Sequence, residues 1–367
     1  MSERKRITFF QDALHGGGAE KAVVNLLKGL AQRDEFDLDL VLATREGPYL
    51  DLVPPEVRII DLKAGRAIAA TIPLTNYLKQ YRPWAVIGNM GHVNVVAWMA
   101  TRLSRIDTRL LLVEQNTLSA NPTKYRRAKL VNQLMKWFYP SADAVAGVSA
   151  GVARDLEQCL GLKKETVEVL NNPVVNEDLI AQTQADLEHA WFTADAPPVF
   201  LAVGRLNVQK DFPNLLQAFA LVRKQREARL IILGEGQERP ALEAAIEELG
   251  IADDVLLPGF VKNPYAYMKR ASCFVLSSRE EGLPTVLIEA MACGCPVVAT
   301  NCPSGPDEIL DRGAYGRLVP IQNSTALAKA MLETLKNPPK PEFLIERANK
   351  YSTKNAVAAY LSLLNQL

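Results

Sequence analysis

The sequence predicts an α/β protein built from two doubly wound domains, each a parallel sheet covered by helices on both faces. Three observations carry this reading. The 367 residues, 48% hydrophobic and 23% charged, have ordinary globular composition but exceed what one compact core holds. Short apolar runs of strand length alternate with helically spaced apolar residues throughout, as strands joined by helical crossovers do. Midway, the turn Asn171-Asn172-Pro173 and an acidic stretch to Pro198 interrupt the alternation, and the charge shifts there. Up to Val175 there are 23 basic and 18 acidic residues, against 19 and 23 beyond it. The domains are therefore placed at 1–175 and 176–345, with a final helical segment at 346–367.

The bulk numbers exclude several classes. A formal net charge of +1 gives no reason to expect nucleic acid as a partner. Only four apolar or small residues separate Arg6 from Gln11, so no signal peptide is expected, and no run approaches the roughly 20 apolar residues that cross a bilayer. Five cysteines, one necessarily unpaired, suit a reducing compartment. A cytoplasmic protein is expected.

In chain order, Ile7 to Phe10 forms a buried strand, Gln11 to Gly18 a glycine loop, and Ala22, Val23, Leu26, Leu27 and Leu30 the inner face of a helix. Strand, glycine loop and helix open a nucleotide-binding unit, and Gly17 and Gly18 let a ligand approach the backbone where the helix dipole points. The G-x-G-x-x-G and Gly-Lys-Ser/Thr spacings are both missing, which argues against a dinucleotide fingerprint or P-loop. A tight turn is the alternative. Leu38 to Ala43, a helix near Ile68 to Tyr81, Trp84 to Gly88, a helix from His92 to Leu103, Arg109 to Val113, Ala142 to Val148 and Val167 to Leu170 continue the alternation. Ligands of such sheets bind beyond the carboxyl ends of strands, where His15, Asn89 to Asn94 and Glu114 to Thr117 lie. His92 is either a sugar-contacting or reaction-positioning residue or a loop histidine capping its helix.

Lys124 to Tyr139 (KYRRAKLVNQLMKWFY) has Leu130, Val131, Leu134 and Phe138 on one helical face and Arg126, Arg127, Lys129 and Lys136 away from it. Basic residues beside aromatics suit an anionic membrane surface. A domain helix with its apolar face in the core is the alternative. Asp37 and Asp39 begin a strand rather than follow one; they are read as solvated, and no metal site is expected.

In the second half Val199 to Val203 is a strand leading to Gly204-Arg205-Leu206-Asn207-Val208-Gln209-Lys210-Asp211, with a helix from Leu215 to Val222. Arg205 and Lys210 share one loop and form a diphosphate clamp, whose cations would stabilise a departing nucleoside diphosphate; two solvent-facing cations are the alternative. Leu230 to Leu233 and Val255 to Pro258 add strands, the latter ending at Gly259-Phe260. The stretch from Ser277 to Leu310 holds the strongest signal. Glu281 precedes a helix start at Gly282, Leu283, Pro284 and Thr285, and Glu289 falls in its second turn. The helix start offers unpaired N–H groups to a phosphate. Eight residues of helical rise span at most about 12 Å, the length of a diphosphate carrying a sugar at each end. An ordinary amphipathic helix with a solvated acidic loop before it is the alternative. Cys293, Cys295 and Cys302 lack zinc spacing and are read as small buried residues.

From Glu281 to Ala299 the sequence resembles, without a gap, the E-x7-E and A-x-G-x-P-V-V-A signature of the family 4 glycosyltransferases. Gly204, Arg205, Leu206, Lys210 and Asp211 resemble the same family's G-R-L-x-x-x-K-D/G segment, and Pro303 to Glu308 resembles a subgroup acting on bacterial lipid-linked saccharides and lipopolysaccharide. The resemblance implies the GT-B architecture, two facing Rossmann-like domains with the last helix returning to the first. It implies acceptor binding in the first domain and donor binding in the second. It assigns the donor diphosphate to Arg205 and Lys210, the donor sugar to Glu281 and the ribose to Glu289, with the base beside Phe260. It further implies retaining, metal-independent transfer from a UDP-sugar, needing no cofactor, to a glycan or lipid-linked acceptor at the inner membrane surface. Where many members carry a histidine after the strand Arg109 to Val113, this chain has Glu114-Gln115-Asn116, so Gln115 or Asn116 is expected to make that sugar contact. A catalytically idle GT-B subunit that binds a nucleotide or partner is the alternative.

Overall fold

The computed structural model describes residues 4–119 and 126–367, with backbone alone for 126–129. It divides into two compact units, one of residues 1–174 and 353–367 and the other of residues 175–352.

Unit 1 runs β1 (Lys5–Gln11), α1 (Gly18–Ala31), β2 (Phe36–Leu42), β3 (Val57–Asp61), α2 (Thr71–Tyr81), β4 (Ala85–Asn89), α3 (Gly91–Ser104), β5 (Arg109–Glu114), α4 (Arg126–Phe138), β6 (Ala144–Gly147), α5 (Ala150–Leu160) and β7 (Glu168–Val169). Its seven strands are parallel in the order β3-β2-β1-β4-β5-β6-β7. The inner strands are buried on both faces, which explains why β1 and β5 read as continuous apolar runs rather than alternating ones. The order reverses between β1 and β4, so their carboxyl ends open a crevice there.

Unit 2 follows as α6 (Glu177–Gln182), β8 (Val199–Val203), α7 (Phe212–Arg223), β9 (Arg229–Leu233), α8 (Arg239–Glu248), β10 (Val255–Gly259), α9 (Tyr265–Arg270), β11 (Cys273–Leu276), α10 (Thr285–Ala292), β12 (Val297–Thr300), α11 (Pro306–Ile309), β13 (Arg317–Val319), α12 (Ser324–Lys336) and α13 (Pro341–Ala348). Its six parallel strands are ordered β10-β9-β8-β11-β12-β13, reversing between β8 and β11. Phe200, Phe212, Phe219, Leu230 and Leu327 belong to one buried apolar cluster of this unit. Cys273, Cys293, Cys295 and Cys302 are all buried, and burial raises each thiol's pKa.

The chain then returns to unit 1 as α14 (Thr353–Gln366), which buries Ala356, Val357, Tyr360 and Leu364 and packs on α1. Gly29 makes the approach possible, since a Cβ there would stand 2.5 Å from Thr353 Cγ2 and 2.7 Å from Val357 Cγ2.

Two expectations are corrected. Asp39 is not solvated: it is 2% exposed, accepts from Arg58 Nε at 2.9 Å and from the Tyr77 hydroxyl, and pairs with Arg6. The strand β3, whose half-exposed V-R-I-I-D pattern gave no clear alternation, pairs with β2 and sets Arg58 opposite Asp39. Asp39→Ala is expected to cost about 3 kcal/mol in urea unfolding, because it leaves guanidinium and phenol groups without their buried acceptor.

The second correction concerns the basic helix. Met135 and Tyr139 are its buried anchors, whereas Leu130 and Trp137 are 61% and 65% exposed. Phe138 stacks on Trp98 with ring centroids 3.9 Å apart. Lys124 and Tyr125, and the side chains of Arg126, Arg127 and Lys129, lie outside the described residues.

Candidate active site

In unit 2 the loops after β8 and β11 meet because these strands are neighbours at the reversal of strand order. Lys210 Nζ lies 2.6 Å from Glu281 Oε1, and Ser278 Oγ donates to the same oxygen at 2.7 Å. Both members of the pair are mostly buried. The loops are joined along their length. Ser277 Oγ donates to the Lys210 carbonyl, the Arg279 N–H to the Gln209 carbonyl, and Gln209 Nε2 to the Glu280 carbonyl. Asp211, in the left-handed region at φ 48°, accepts from Arg279 at 2.6 Å.

Backbone packing shapes the first of these loops. A Cβ on Gly234 would stand 2.0 Å from the Gly204 carbonyl oxygen, and one on Gly236 would stand 2.2 Å from that of Leu206. The stem of Lys210 crosses Gly204, where a Cβ would meet Lys210 Cε at 3.0 Å. Arg205 is exposed at the start of this loop.

The helix α10 begins at Thr285 with Pro284 as its N-cap residue and no side-chain cap, and the Leu287 N–H turns back to the Pro284 carbonyl at 3.0 Å. Leu283 is buried, and the Gly282 carbonyl accepts from Ser304 Oγ at 2.8 Å. Glu289, 4% exposed, accepts from the Tyr265 hydroxyl at 3.3 Å. Phe260 stands 81% exposed beyond β10. Glu280 has its pKa raised by burial and by the charge of Glu281.

Unit 1 presents its own constellation beyond β1 and β4. Gly16 takes φ 97° and its carbonyl accepts from the Tyr49 hydroxyl; Gly17 is the N-cap of α1 and Gly18 its first residue. His15 is exposed. His92 is the second residue of α3, half exposed, with Nε2 3.8 Å from Asp12 Oδ2. Just before it, Met90 adopts φ 110°, a strained value for a residue with a side chain. Gln115 is 7% exposed; its amide donates to Asn89 at 2.7 Å and to Asn172 at 3.1 Å and accepts from Asn172 at 2.7 Å. Its amide is therefore committed to its neighbours, whereas Asn116, the other residue named for a sugar contact, is exposed.

The sequence reading missed Ser278, Gln209, the Asp211–Arg279 pair, Tyr265 and Ser304. Only the two serines immediately before Arg279-Glu280-Glu281 offered a local signal. Among the described residues no group of three or more acidic, histidine or cysteine side chains is arranged to hold a metal ion.

Two family models match the chain, one described as Glycosyltransferase Family 4 over residues 16–178 and one as Glycosyl transferases group 1 over residues 184–351. A relative from Campylobacter jejuni, N-acetylgalactosamine-N,N'-diacetylbacillosaminyl-diphospho-undecaprenol 4-alpha-N-acetylgalactosaminyltransferase, is 32% identical over 348 residues, covering 90% of each chain. The chain belongs to glycosyltransferase family 4. A second relative of this glycosyltransferase, the amylovoran biosynthesis enzyme AmsD of Erwinia amylovora, is 27% identical over 312 residues and 83% of each chain. In fold the glycosyltransferase matches HepE of Anabaena, solved with UDP, at a TM-score of 0.77 and 19% identity over 99% of this chain and 100% of that one. The GT-B architecture is thereby established.

Proposed function

We propose that this glycosyltransferase moves a hexose or N-acetylhexosamine, with retention, from a UDP-sugar to a hydroxyl of a glycan or lipid-linked saccharide in cell-surface polysaccharide or glycolipid synthesis. The observation that carries the reading is the buried Lys210–Glu281 pair beside an uncapped helix start at a topological switch point. Arg205, Lys210 and the first N–H groups of α10 supply the positive potential that the departing diphosphate needs. Glu281 orients the donor sugar and Glu289 accepts from the ribose hydroxyls. Phe260 lies beside the base; within unit 1, Gly17, Gly18 and His92 are the candidate substrate residues.

In the step itself the C1–O bond to the diphosphate breaks while the acceptor oxygen bonds C1 on the same face. The acceptor proton passes to the departing diphosphate oxygen. The two side-chain cations and the helix dipole provide the countercharge, so no metal is required in this scheme. The relative in Campylobacter, named for an undecaprenyl-diphosphate acceptor, supports a lipid-linked acceptor here. No helix among the described residues is long and apolar enough to cross a membrane. The exposed Trp137 and Leu130 beside Lys136 on α4 suit peripheral contact with an anionic inner membrane face.

A thermal-shift and hydrolysis screen against UDP, GDP, ADP and their common sugars, with EDTA in parallel, tests the donor. Stabilisation by UDP alone is expected, with slow UDP release from one UDP-sugar that survives EDTA. Absence of any nucleotide effect would favour the idle-subunit reading.

A further inference from the structure

The loop that follows β12 has no part in the scheme above, yet it is fastened to the loop that has. Two of its hydroxyls reach the stretch after β11. Thr300 Oγ1, fully buried, donates to the Ser278 carbonyl at 2.6 Å, and Ser304 Oγ, on a residue 3% exposed, donates to the Gly282 carbonyl at 2.8 Å. In sequence, Glu281 falls between the two carbonyls so held.

The next residue presses on the same place. Gly305 adopts φ 93°, and a Cβ there would stand 2.3 Å from Pro284 Cδ and 3.2 Å from the Gly282 carbonyl oxygen. From the far side α11 is braced by Arg347 of α13, whose Nε donates to the Ile309 carbonyl at 2.9 Å and whose Nη2 donates to that of Glu308 at 2.6 Å. Ser304 is thus held in a loop anchored before and after it.

A trans peptide is planar, so its C=O and N–H point in opposite directions. With the Gly282 carbonyl turned to Ser304, the Leu283 N–H is turned away from the 302–305 loop. Leu283 is buried, but among the described residues nothing accepts from this N–H. A backbone donor in such surroundings calls for an acceptor. Two residues on, α10 begins, and its dipole favours an anion there.

We propose that Ser304 is a positioning residue: by holding the Gly282 carbonyl it sets the Gly282–Leu283 peptide so that the Leu283 N–H donates to a phosphate oxygen of the donor. The proposal deepens the donor-site reading given above and rests on it. Ser304 itself touches no substrate. Because it acts through one peptide, its loss weakens the hold on the diphosphate and spares the nucleoside.

That peptide can be observed directly. The sequence has three Gly–Leu pairs, at 29–30, 161–162 and 282–283, so protein carrying ¹³C-carbonyl glycine and ¹⁵N leucine gives three carbonyl–amide correlation peaks. In ligand-free Ser304→Ala the Gly282 carbonyl is expected to move upfield while the other two peaks stay. UDP added to wild-type protein should move the Leu283 amide proton downfield, and uridine should not. By calorimetry Ser304→Ala should lose roughly tenfold in UDP affinity, the worth of a hydrogen bond to a charged group, with uridine affinity within twofold of wild type. A purely structural serine would weaken both ligands alike.

An unmoved Gly282 peak in Ser304→Ala, or equal weakening of UDP and uridine, overturns the proposal. So does UDP that binds wild-type protein without moving the Leu283 amide. If Ser304→Ala does not fold, Ser304→Cys, which keeps the volume and weakens the donor, is read by the same measurements. Wild-type protein with no UDP affinity would instead sink the donor reading, and the Gly282 peak would still decide whether Ser304 holds the peptide.

Discussion

Lys210→Ala is expected to lower sugar transfer by about 10²- to 10³-fold, the cost of removing one preorganised charge from a developing anion. The magnitude follows from where the ammonium sits. Its stem is laid across Gly204, its head is 2.6 Å from Glu281, and its own backbone carbonyl is tied to Ser277. The group is therefore placed before substrate arrives and needs no reorganisation when the diphosphate departs. Because Glu281 is buried, the substitution also leaves a carboxylate without its counter-ion, so part of any loss reflects stability. Two controls separate the effects: Glu281→Gln alone, and Lys210→Ala with Glu281→Gln. Steady-state kcat should fall with Lys210 in both backgrounds, whereas the melting temperature should recover in the double variant. A Lys210→Ala enzyme within threefold of wild type would remove Lys210 from the diphosphate site.

Gly234→Ala should damage the same loop from beneath, without touching any charge. Gly234 has φ 141° and its Cβ position is 2.0 Å from the Gly204 carbonyl oxygen. A methyl group there must push away the backbone that carries Arg205, while the residue itself resists the dihedral. A loss of about 3 kcal/mol or more in urea unfolding is expected. At temperatures where the variant remains folded, UDP should no longer raise its melting temperature. An unchanged urea midpoint with normal UDP stabilisation would show that the loop tolerates displacement, and that the close backbone packing is not what orders the clamp.

These cases also show what could be read from the sequence and what could not. The run from Glu281 to Ala299 was legible because loop, helix and strand signals follow one another locally: Pro284 before the helix, apolar spacing within it, and small residues at its end. The meeting of Lys210 with Glu281 rested on resemblance, since they are 71 positions apart and only the adjacency of β8 and β11 joins them. The Arg279–Asp211 pair lay beyond reach for the same reason. Asp39 was misread because its partner Arg58 sits on an edge strand too irregular to announce itself. Leu130 was misplaced because helical spacing identifies a face but not which part of it a neighbour covers; Met135 and Tyr139 take that place. Gln115 sits where a substrate contact was expected, but Asn89 and Asn172 arrive from distant segments and claim its amide.

The return of the chain through α14 bears on how the molecule is made. Unit 1 lacks one of its own packing layers until α14 lies against α1, and α14 leaves the ribosome only after every residue of unit 2. Unit 2, contiguous from 175 to 352, has all its strands in hand before that moment. The amino-terminal half therefore cannot complete its packing over the α1 surface around Gly29 until the last helix has been made.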